Sequence, residues 1–136
     1  MDRAELHRLA AGAAVARLAT IDPEGRPHLV PICFALDGDV LYSAVDQKPK
    51  RSPRLQRLEN IRRHPEVAVL VDHYEDDWAR LWWARLRGPA RVLAPGPERS
   101  RALELLTAKY PQYALDPPRG DVIGIRVEEW RVWSAA

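Results

Sequence analysis

Basic side chains concentrate in one turn of the sequence. Only three lysines occur in the 136 residues, and two of them, Lys48 and Lys50, lie in this turn beside Arg51, Arg54 and Arg57. A strand-like apolar run ends just before the turn, and a helix-like pattern starts after it with Ser and Pro. Backbone N–H groups at a helix start bind anions, and cationic side chains strengthen such contacts. The turn therefore predicts an anion site, with a phosphate as the simplest ligand.

The alternative for this turn is a solvated helix face, which is the usual explanation of a charge run. The run from Lys48 to Arg63 contains one acidic residue, Glu59, and lies at a strand-to-helix junction. Both properties make anion binding a real alternative to simple solvation, and both explanations stay open. Arg54 and Arg57, one turn apart, would extend the positive field along an elongated acidic ligand.

Other reactive groups give weaker predictions. The acidic run around His73 has ligand types for a divalent metal but no recognised spacing, so a solvated loop facing arginines is favoured and no metal ligand is assigned. Cys33 is the only cysteine, and its position inside a predicted strand indicates a buried structural thiol. No GxSxG, Walker or GxGxxG motif occurs, and no catalytic acid, base or nucleophile is assigned. A cofactor would have to supply the chemistry of any enzyme.

Five tryptophans are a large aromatic content for a chain of this length. Trp82 and Trp130 fit inward-facing strand positions and are predicted to pack in the core. Trp78 lies in the polar run EDDWAR, where an indole has few apolar neighbours in sequence. An exposed tryptophan suits stacking on a flat ligand or contact with a partner subunit.

Length and composition predict one globular domain over residues 1–136, with 46% apolar residues and a net charge of +2. That charge is too small to predict general nucleic-acid binding. No signal-peptide pattern and no long uncharged segment is present, so a cytoplasmic protein without a membrane span is expected.

The elements that must position the turn follow from periodicity and turn signals. They are a helix over 2–11, strands over 15–21, 28–36 and 40–45, a helix from Ser52 to His64, strands over 67–71 and 82–93, a helix over 98–110, and a strand over 122–133. Proline-rich residues 111–118 are expected to form a loop. Pro31 inside the second strand indicates an edge, a bulge or an opening, and Gly88 with Pro89 predicts a bend. Six antiparallel strands with short helices at the rim most economically form a small barrel.

Residues 16–72 resemble the first half of the pyridoxamine-phosphate-oxidase-like split β-barrel proteins. The run DHYEDDWARLWWARLRGPARVL is similar to the deazaflavin-dependent branch, which uses coenzyme F420. The resemblance implies a homodimeric six-stranded split barrel with two cofactor sites at the subunit interface. It covers residues 15–93 well and the last third loosely. The C-terminal run RVWSAA differs from that of the vitamin B6 oxidases, and the basic turn is a few residues longer than the KxxNL pattern of the family.

The resemblance also implies roles for particular residues. Lys50 is the phosphate ligand, with Lys48, Arg54 and Arg57 in support. The cofactor ring lies over the second and third strands, against backbone groups of Pro31, Ile32, Ser43, Ala44 and Val45. Trp78 belongs to a loop that reaches a site from the partner subunit.

The predicted function is hydride transfer between F420 and a small organic substrate. The alternatives are an FMN-dependent oxidase or reductase of the same fold, and a non-catalytic barrel that binds flavin, F420 or haem. A nucleic-acid module using the basic helix is the remaining alternative. It is disfavoured because the aromatic residues are not interleaved with the basic run.

Overall fold

The structure is a computed structural model that describes residues 2–45 and 56–136. The described elements are, in chain order, α1 (Arg3–Gly12), β1 (Ala16–Ile21), β2 (Pro27–Ile32), β3 (Ala35–Asp37), β4 (Val40–Ala44), α2 (Gln56–Arg63), β5 (Glu66–His73), β6 (Trp82–Val92), α3 (Pro97–Lys109), α4 (Pro111–Leu115), β7 (Val122–Arg126) and β8 (Glu129–Ser134). A short 3₁₀ helix, Trp78–Arg80, connects β5 to β6. Ser52, where the second helix is predicted to begin, lies outside the described residues.

Local sequence signals set the first elements. The Asp2 side chain caps α1 by accepting a hydrogen bond from the Glu5 amide at 2.8 Å. In the β1–β2 turn, Asp22 Oδ1 accepts from the amides of Glu24 and Arg26 at 3.0 and 2.8 Å. Gly25 takes a φ of 81° there, which glycine adopts without strain. The predicted helix and hairpin are confirmed at this end of the chain.

The sheet is antiparallel and is divided at β6. Its strand order is β2-β1-β5-β6-β7-β4-β3, and β8 pairs with β6 as well. Residues 82–87 of β6 pair with β8, whereas Ala90 to Val92 pair with β7. The strand thus leaves one half of the sheet and enters the other at Gly88 and Pro89, where the sequence predicts a bend.

Gly88 lies where the two halves of the sheet cross most closely. A Cβ atom built on Gly88 would stand 1.8 Å from the carbonyl oxygen of Arg126. Backbone hydrogen bonds fix the two residues that follow Arg126. Val127 N–H donates to Asp39 O at 2.6 Å, and Glu128 N–H donates to Arg87 O at 2.8 Å. Glycine is therefore required here by close backbone approach.

Inward-facing strand positions form the main core, as alternation predicts. Leu18, Val69, Leu86 and Ile125 are at most 1% exposed. Trp82 is buried as predicted, and Trp130 is partly buried against the core. A smaller cluster packs α3 on β4 and β7 through residues such as Leu106, Tyr42 and Val122.

Three predictions about the elements are wrong. The sheet has eight described strands rather than six, because the second predicted strand is interrupted at Cys33 and Phe34 and the last one at Val127 and Glu128. Cys33 consequently lies at a strand break and is half-buried, not enclosed within a strand. The proline-rich loop begins with α4, since proline fits the first turn of a helix.

The mainly β, antiparallel architecture with short helices is confirmed. No helix in the described parts of the chain has both the length and the apolar character needed to cross a membrane.

Candidate functional site

A strand break between β2 and β3 leaves backbone groups that distant side chains satisfy. The Tyr110 hydroxyl accepts a hydrogen bond from the Phe34 amide at 2.9 Å and lies 2.9 Å from the carbonyl oxygen of Ala14, to which it donates. Lys109 Nζ donates to the Phe34 carbonyl at 2.9 Å. The end of α3 therefore fixes the backbone of the break.

Lys109 is half-buried and lies 3.7 Å above the centroid of the Phe34 ring. Burial lowers the pKa of this amine to about 8, and the nearby Cys33 opposes the shift. Burial also raises the pKa of Tyr110, while the hydrogen bond from the Phe34 amide opposes that change. No carboxylate pairs with Lys109 among the residues that the structure describes.

Ser43 joins the strand break to β4. Its hydroxyl donates to the carbonyl oxygen of Cys33 at 2.7 Å, and its side chain is 1% exposed. β3 pairs with β4 only as far as Ala35 and Tyr42. β4 runs on to Ala44, so the edge of its last two residues that faces β3 has no strand partner among the described residues. The structure thus brings Cys33, the residue after β2, next to Ser43, and the contact of these strands with a cofactor ring stays a prediction.

The backbone of Ala44 points toward that unpaired side. The Val45 amide donates to Asp121 O at 2.8 Å, on the β7 side of the strand. Adjacent residues of a strand direct their backbone groups to opposite sides, so the N–H and C=O of Ala44 face away from β7. A planar ligand at the break would find one donor and one acceptor there.

Pro31 and Ile32 lie at the end of β2, which stands at one end of the strand order. Pro31 is exposed and pairs in register with Arg17, whereas Ile32 is 4% exposed and pairs with Ala16. The prediction that Pro31 marks an edge is confirmed, because proline has no N–H for a further strand.

Of the basic residues predicted to bind an anion, Arg57 lies in the described part of the chain. Lys48, Lys50 and Arg54 lie outside the described residues, and their roles stay predictions. Arg57 is half-buried on the first turn of α2, and it already has an interaction within the protein. Arg62 and Arg63 are exposed on the last turn of the same helix.

A buried amide network holds α2 against the sheet. Asn60 is fully buried, and its Nδ2 donates to the Thr20 hydroxyl of β1 at 2.9 Å. Gln56 Nε2 donates to Asn60 Oδ1 at 2.7 Å. These hydrogen bonds satisfy polar groups whose burial would otherwise be costly, and they orient the basic first turn of the helix.

Trp78 is 67% exposed on the 3₁₀ helix between β5 and β6. Asp77 caps this turn by accepting from the Ala79 amide at 3.1 Å. The acidic loop faces arginines as predicted, since Asp72 pairs with Arg17 at 3.2 Å. The partner-contact role of Trp78 stays a prediction.

Sequence reasoning missed Lys109, Tyr110 and Asn60. Asn60 could have been found, because it lies between Leu58 and Ile61 on the apolar side of α2, where a polar residue needs a partner. The lysine and tyrosine gave no comparable local signal, because the backbone that they contact is 75 and 76 residues away.

Comparison with known proteins identifies the family to which the chain belongs. The family model for pyridoxamine 5'-phosphate oxidase matches residues 3–134. No relative among curated proteins matches the chain.

Three solved structures have the same fold. A conserved hypothetical protein, Rv2991 from Mycobacterium tuberculosis, is 22% identical with a TM-score of 0.79, and the match covers 99% of this chain and 86% of that one. A FAD-binding protein from Mesorhizobium loti is 20% identical with a TM-score of 0.69, covering 97% and 94%. HupZ from Group A Streptococcus is 20% identical with a TM-score of 0.70, covering 98% and 94%.

These likenesses confirm the split-barrel fold expected from the sequence. The family model spans nearly the whole chain, including the strand break, β4 and α2. The chain therefore belongs to the pyridoxamine 5'-phosphate oxidase family, with the split β-barrel fold.

Proposed function

We propose that this protein is an oxidoreductase that binds coenzyme F420 and transfers a hydride between the deazaflavin and a small organic substrate. The observation that carries the proposal is the open backbone site at the strand break, where Ser43 bonds to Cys33 and Ala44 faces an unpaired edge. A neutral heteroaromatic ring can match such alternating donors and acceptors. The relative from Mesorhizobium loti is named as FAD-binding, which supports a flavin-type cofactor on this fold.

The described residues fit such a cofactor chemically. Backbone groups of Ala44 would contact the ring, with Pro31, Ile32, Ser43 and Val45 around it. When bound, the deazaflavin supplies or accepts the hydride. The protein's own contribution is to hold the ring on the strands, align the substrate and exclude water. No side-chain acid or base is assigned to the step.

The phosphate of the cofactor is assigned to the basic turn. Arg57 stands three residues before Asn60 and four before Ile61, which is the spacing of the KxxNL pattern with arginine in place of lysine and isoleucine in place of leucine. Lys50, Lys48 and Arg54 are the other proposed ligands. The exposed Arg62 and Arg63 continue the positive surface along α2, which favours F420, with its acidic oligoglutamate tail, over FMN.

Titration of the purified protein with F420 and, separately, with FMN tests the cofactor. Quenching of the tryptophan fluorescence reports binding, and the expected result is saturable binding with the lower Kd for F420. A lower Kd for FMN would favour the alternative oxidase or reductase. Failure of both to bind would overturn the proposed function.

Two substitutions test the phosphate assignment. Lys50→Ala and Arg57→Ala should each weaken the bound cofactor by about 1.5–3 kcal/mol, roughly tenfold to 100-fold in Kd, because a charge-assisted hydrogen bond is lost. The control is Arg101→Ala, since Arg101 is exposed on α3 and pairs with Asp37. Equal affinities for all three variants would contradict the assignment.

We also propose a homodimer with its cofactor sites at the interface. The strand register places apolar side chains on one face of the sheet formed by β2, β1, β5, β6 and β8, here called the outer face: Leu29, Pro31, Leu70, Trp83 and Trp133. Leu29, Leu70 and Trp133 are 68%, 38% and 44% exposed. Exposed apolar residues grouped on one face are typical of an interface.

A cytoplasmic location remains a prediction.

Charge on the outer face also favours a second copy as the partner. The register aligns Pro31, Arg17, Leu70, Arg85 and Arg131 in one row across five strands. Arg85 Nε is buried and has no hydrogen-bond partner among the described residues, so an acceptor from outside would satisfy it. Asp72 and Glu129 are carboxylates on the same face; within the chain they pair with Arg17, Arg87 and Arg131, and in a two-fold dimer they would face arginines of the second copy.

A further inference from the structure

Two adjacent cavities lie between α1 and the connection of β5 to β6. Their volumes are about 370 and 470 Å³, and both are lined by Leu9, His73 and Trp82. The three shared residues place the cavities side by side, and together they are here called the α1 groove. Each volume is within the range of sites that hold small organic molecules.

One wall of the α1 groove is flat and aromatic. The imidazole of His73 stacks on the indole of Trp82, with ring centroids 6.4 Å apart and an angle of 18° between the planes. Leu9 and Val15 line the groove as apolar residues that remain 41% and 37% exposed. A planar ring would bury these apolar surfaces with favourable stacking geometry.

The charges of the groove favour an anion. Arg8 lines the first cavity and Arg80 the second. Asp72 pairs with Arg17 at 3.2 Å, and Glu75 accepts hydrogen bonds from both His73 and Arg80. Arg8 has no ion pair among the residues that the structure describes, whereas Asp72, which lines the same cavity, is already paired with Arg17. A guanidinium binds a carboxylate through two parallel N–H donors.

We propose that the α1 groove binds a small planar aromatic carboxylate, with the ring against His73 and Trp82 and the carboxylate toward Arg8. This proposal does not depend on the proposed cofactor, and the groove is linked to the strand break through Tyr110, whose hydroxyl bonds to Ala14 of the first cavity. The proposed ligands have one aromatic ring or two fused aromatic rings, and they carry a single negative charge.

Titration of the cofactor-free full chain with 2-naphthoate tests the site. Calorimetry, with tryptophan fluorescence as a second readout, should give saturable binding of one molecule per chain. The uncharged analogue 2-naphthalenemethanol should bind at least fivefold more weakly, because it cannot pair with Arg8.

Two variants locate the binding in the groove. Gly12 lines the first cavity, and a Cβ atom built on it meets no atom within 4 Å, so Gly12→Leu should add bulk at the edge of the groove without overlapping the fold. It should abolish binding, and Arg8→Gln should weaken it at least fivefold. The matched control is Arg3→Gln, because Arg3 is exposed on the same helix and is not a lining residue.

Circular dichroism of each variant confirms that it is folded before its binding is compared. Absence of saturable 2-naphthoate binding to the unaltered protein would overturn the proposal. So would binding that Gly12→Leu leaves intact, or a loss that is equal for Arg8→Gln and Arg3→Gln.

Discussion

Lys109 combines a backbone contact with an unusual titration. Its amine donates to the Phe34 carbonyl and lies over the Phe34 ring, with the Tyr110 ring 5.3 Å away. One carbonyl and two aromatic rings replace only part of the hydration that the ammonium form loses. The strand break therefore depends on a side chain whose charge changes near pH 8.

The stability of the protein should rise with pH because of Lys109. Its pKa is about 8 in the folded state and 10.5 in the unfolded state, so between these values the unfolded chain binds the extra proton. We expect the free energy of unfolding to increase by about 1–2 kcal/mol between pH 8 and 10, after allowance for solvent screening. Urea unfolding at several pH values measures it.

The variant Lys109→Met separates this titration from others. It keeps a long side chain over Phe34 but removes the proton that titrates, so the rise should disappear. Burial and the hydrogen bond to Glu98 raise the pKa of Tyr42 to about 12, which lowers stability only above its ordinary value of 10.0. An unchanged rise in Lys109→Met would show that another group is responsible.

At the scale of elements, Gly88 determines how β6 passes between the halves of the sheet. Gly88→Ala should destabilise the protein by more than about 3 kcal/mol or prevent folding, because the new methyl group would overlap the Arg126 carbonyl and the backbone there cannot move away. Chemical denaturation of the purified variant measures the loss.

Gly12→Ala is the matched control for that substitution. The same methyl group at Gly12 meets nothing within 4 Å, so its effect on stability should be under about 0.5 kcal/mol or slightly favourable. Similar stabilities of Gly88→Ala and Gly12→Ala would contradict the argument from close approach.

The elements that sequence predicted well are those set by neighbouring residues. Asp2 caps its own helix, Asp22 and Gly25 make their own turn, and Gly88 with Pro89 marks the bend. Alternation identified the strands because each one buries a single face. These signals act within a few residues, so periodicity and turn chemistry were sufficient.

The strand interruptions were not predictable in the same way. The break at Cys33 and Phe34 exists because Tyr110 and Lys109 replace the strand as hydrogen-bond partners from the far end of the chain. The division of β7 from β8 follows the crossing at Gly88, which is a property of the whole sheet. The open edge of the candidate cofactor site could not be predicted from local sequence either, because it results from the same strand break.

At the scale of the whole molecule, the outer face should mediate dimerisation. Leu70→Glu places a carboxylate in the middle of the row that includes Arg17 and Arg85, and it removes an exposed apolar side chain. We expect the dimer to weaken at least tenfold and cofactor binding to fall with it, because the sites are proposed to need both subunits. Analytical ultracentrifugation over a concentration series measures the association.

Leu115→Glu is the control for the outer face. Leu115 is 90% exposed on α4, away from the five-stranded row, so the same change in charge should leave the association unaltered. A monomeric unaltered protein, or equal effects of the two variants, would contradict the proposed assembly.

The passage of β6 through both halves of the sheet has a consequence for cooperativity. Residues 82–89 of this strand pair with β5, and Ala90 to Val92 pair with β7, so neither half has a complete set of backbone partners without the other. Local opening of one half therefore removes support from the second half through a continuous strand. The barrel, although split in architecture, should unfold as a single foldon, with its most protected amides along β6.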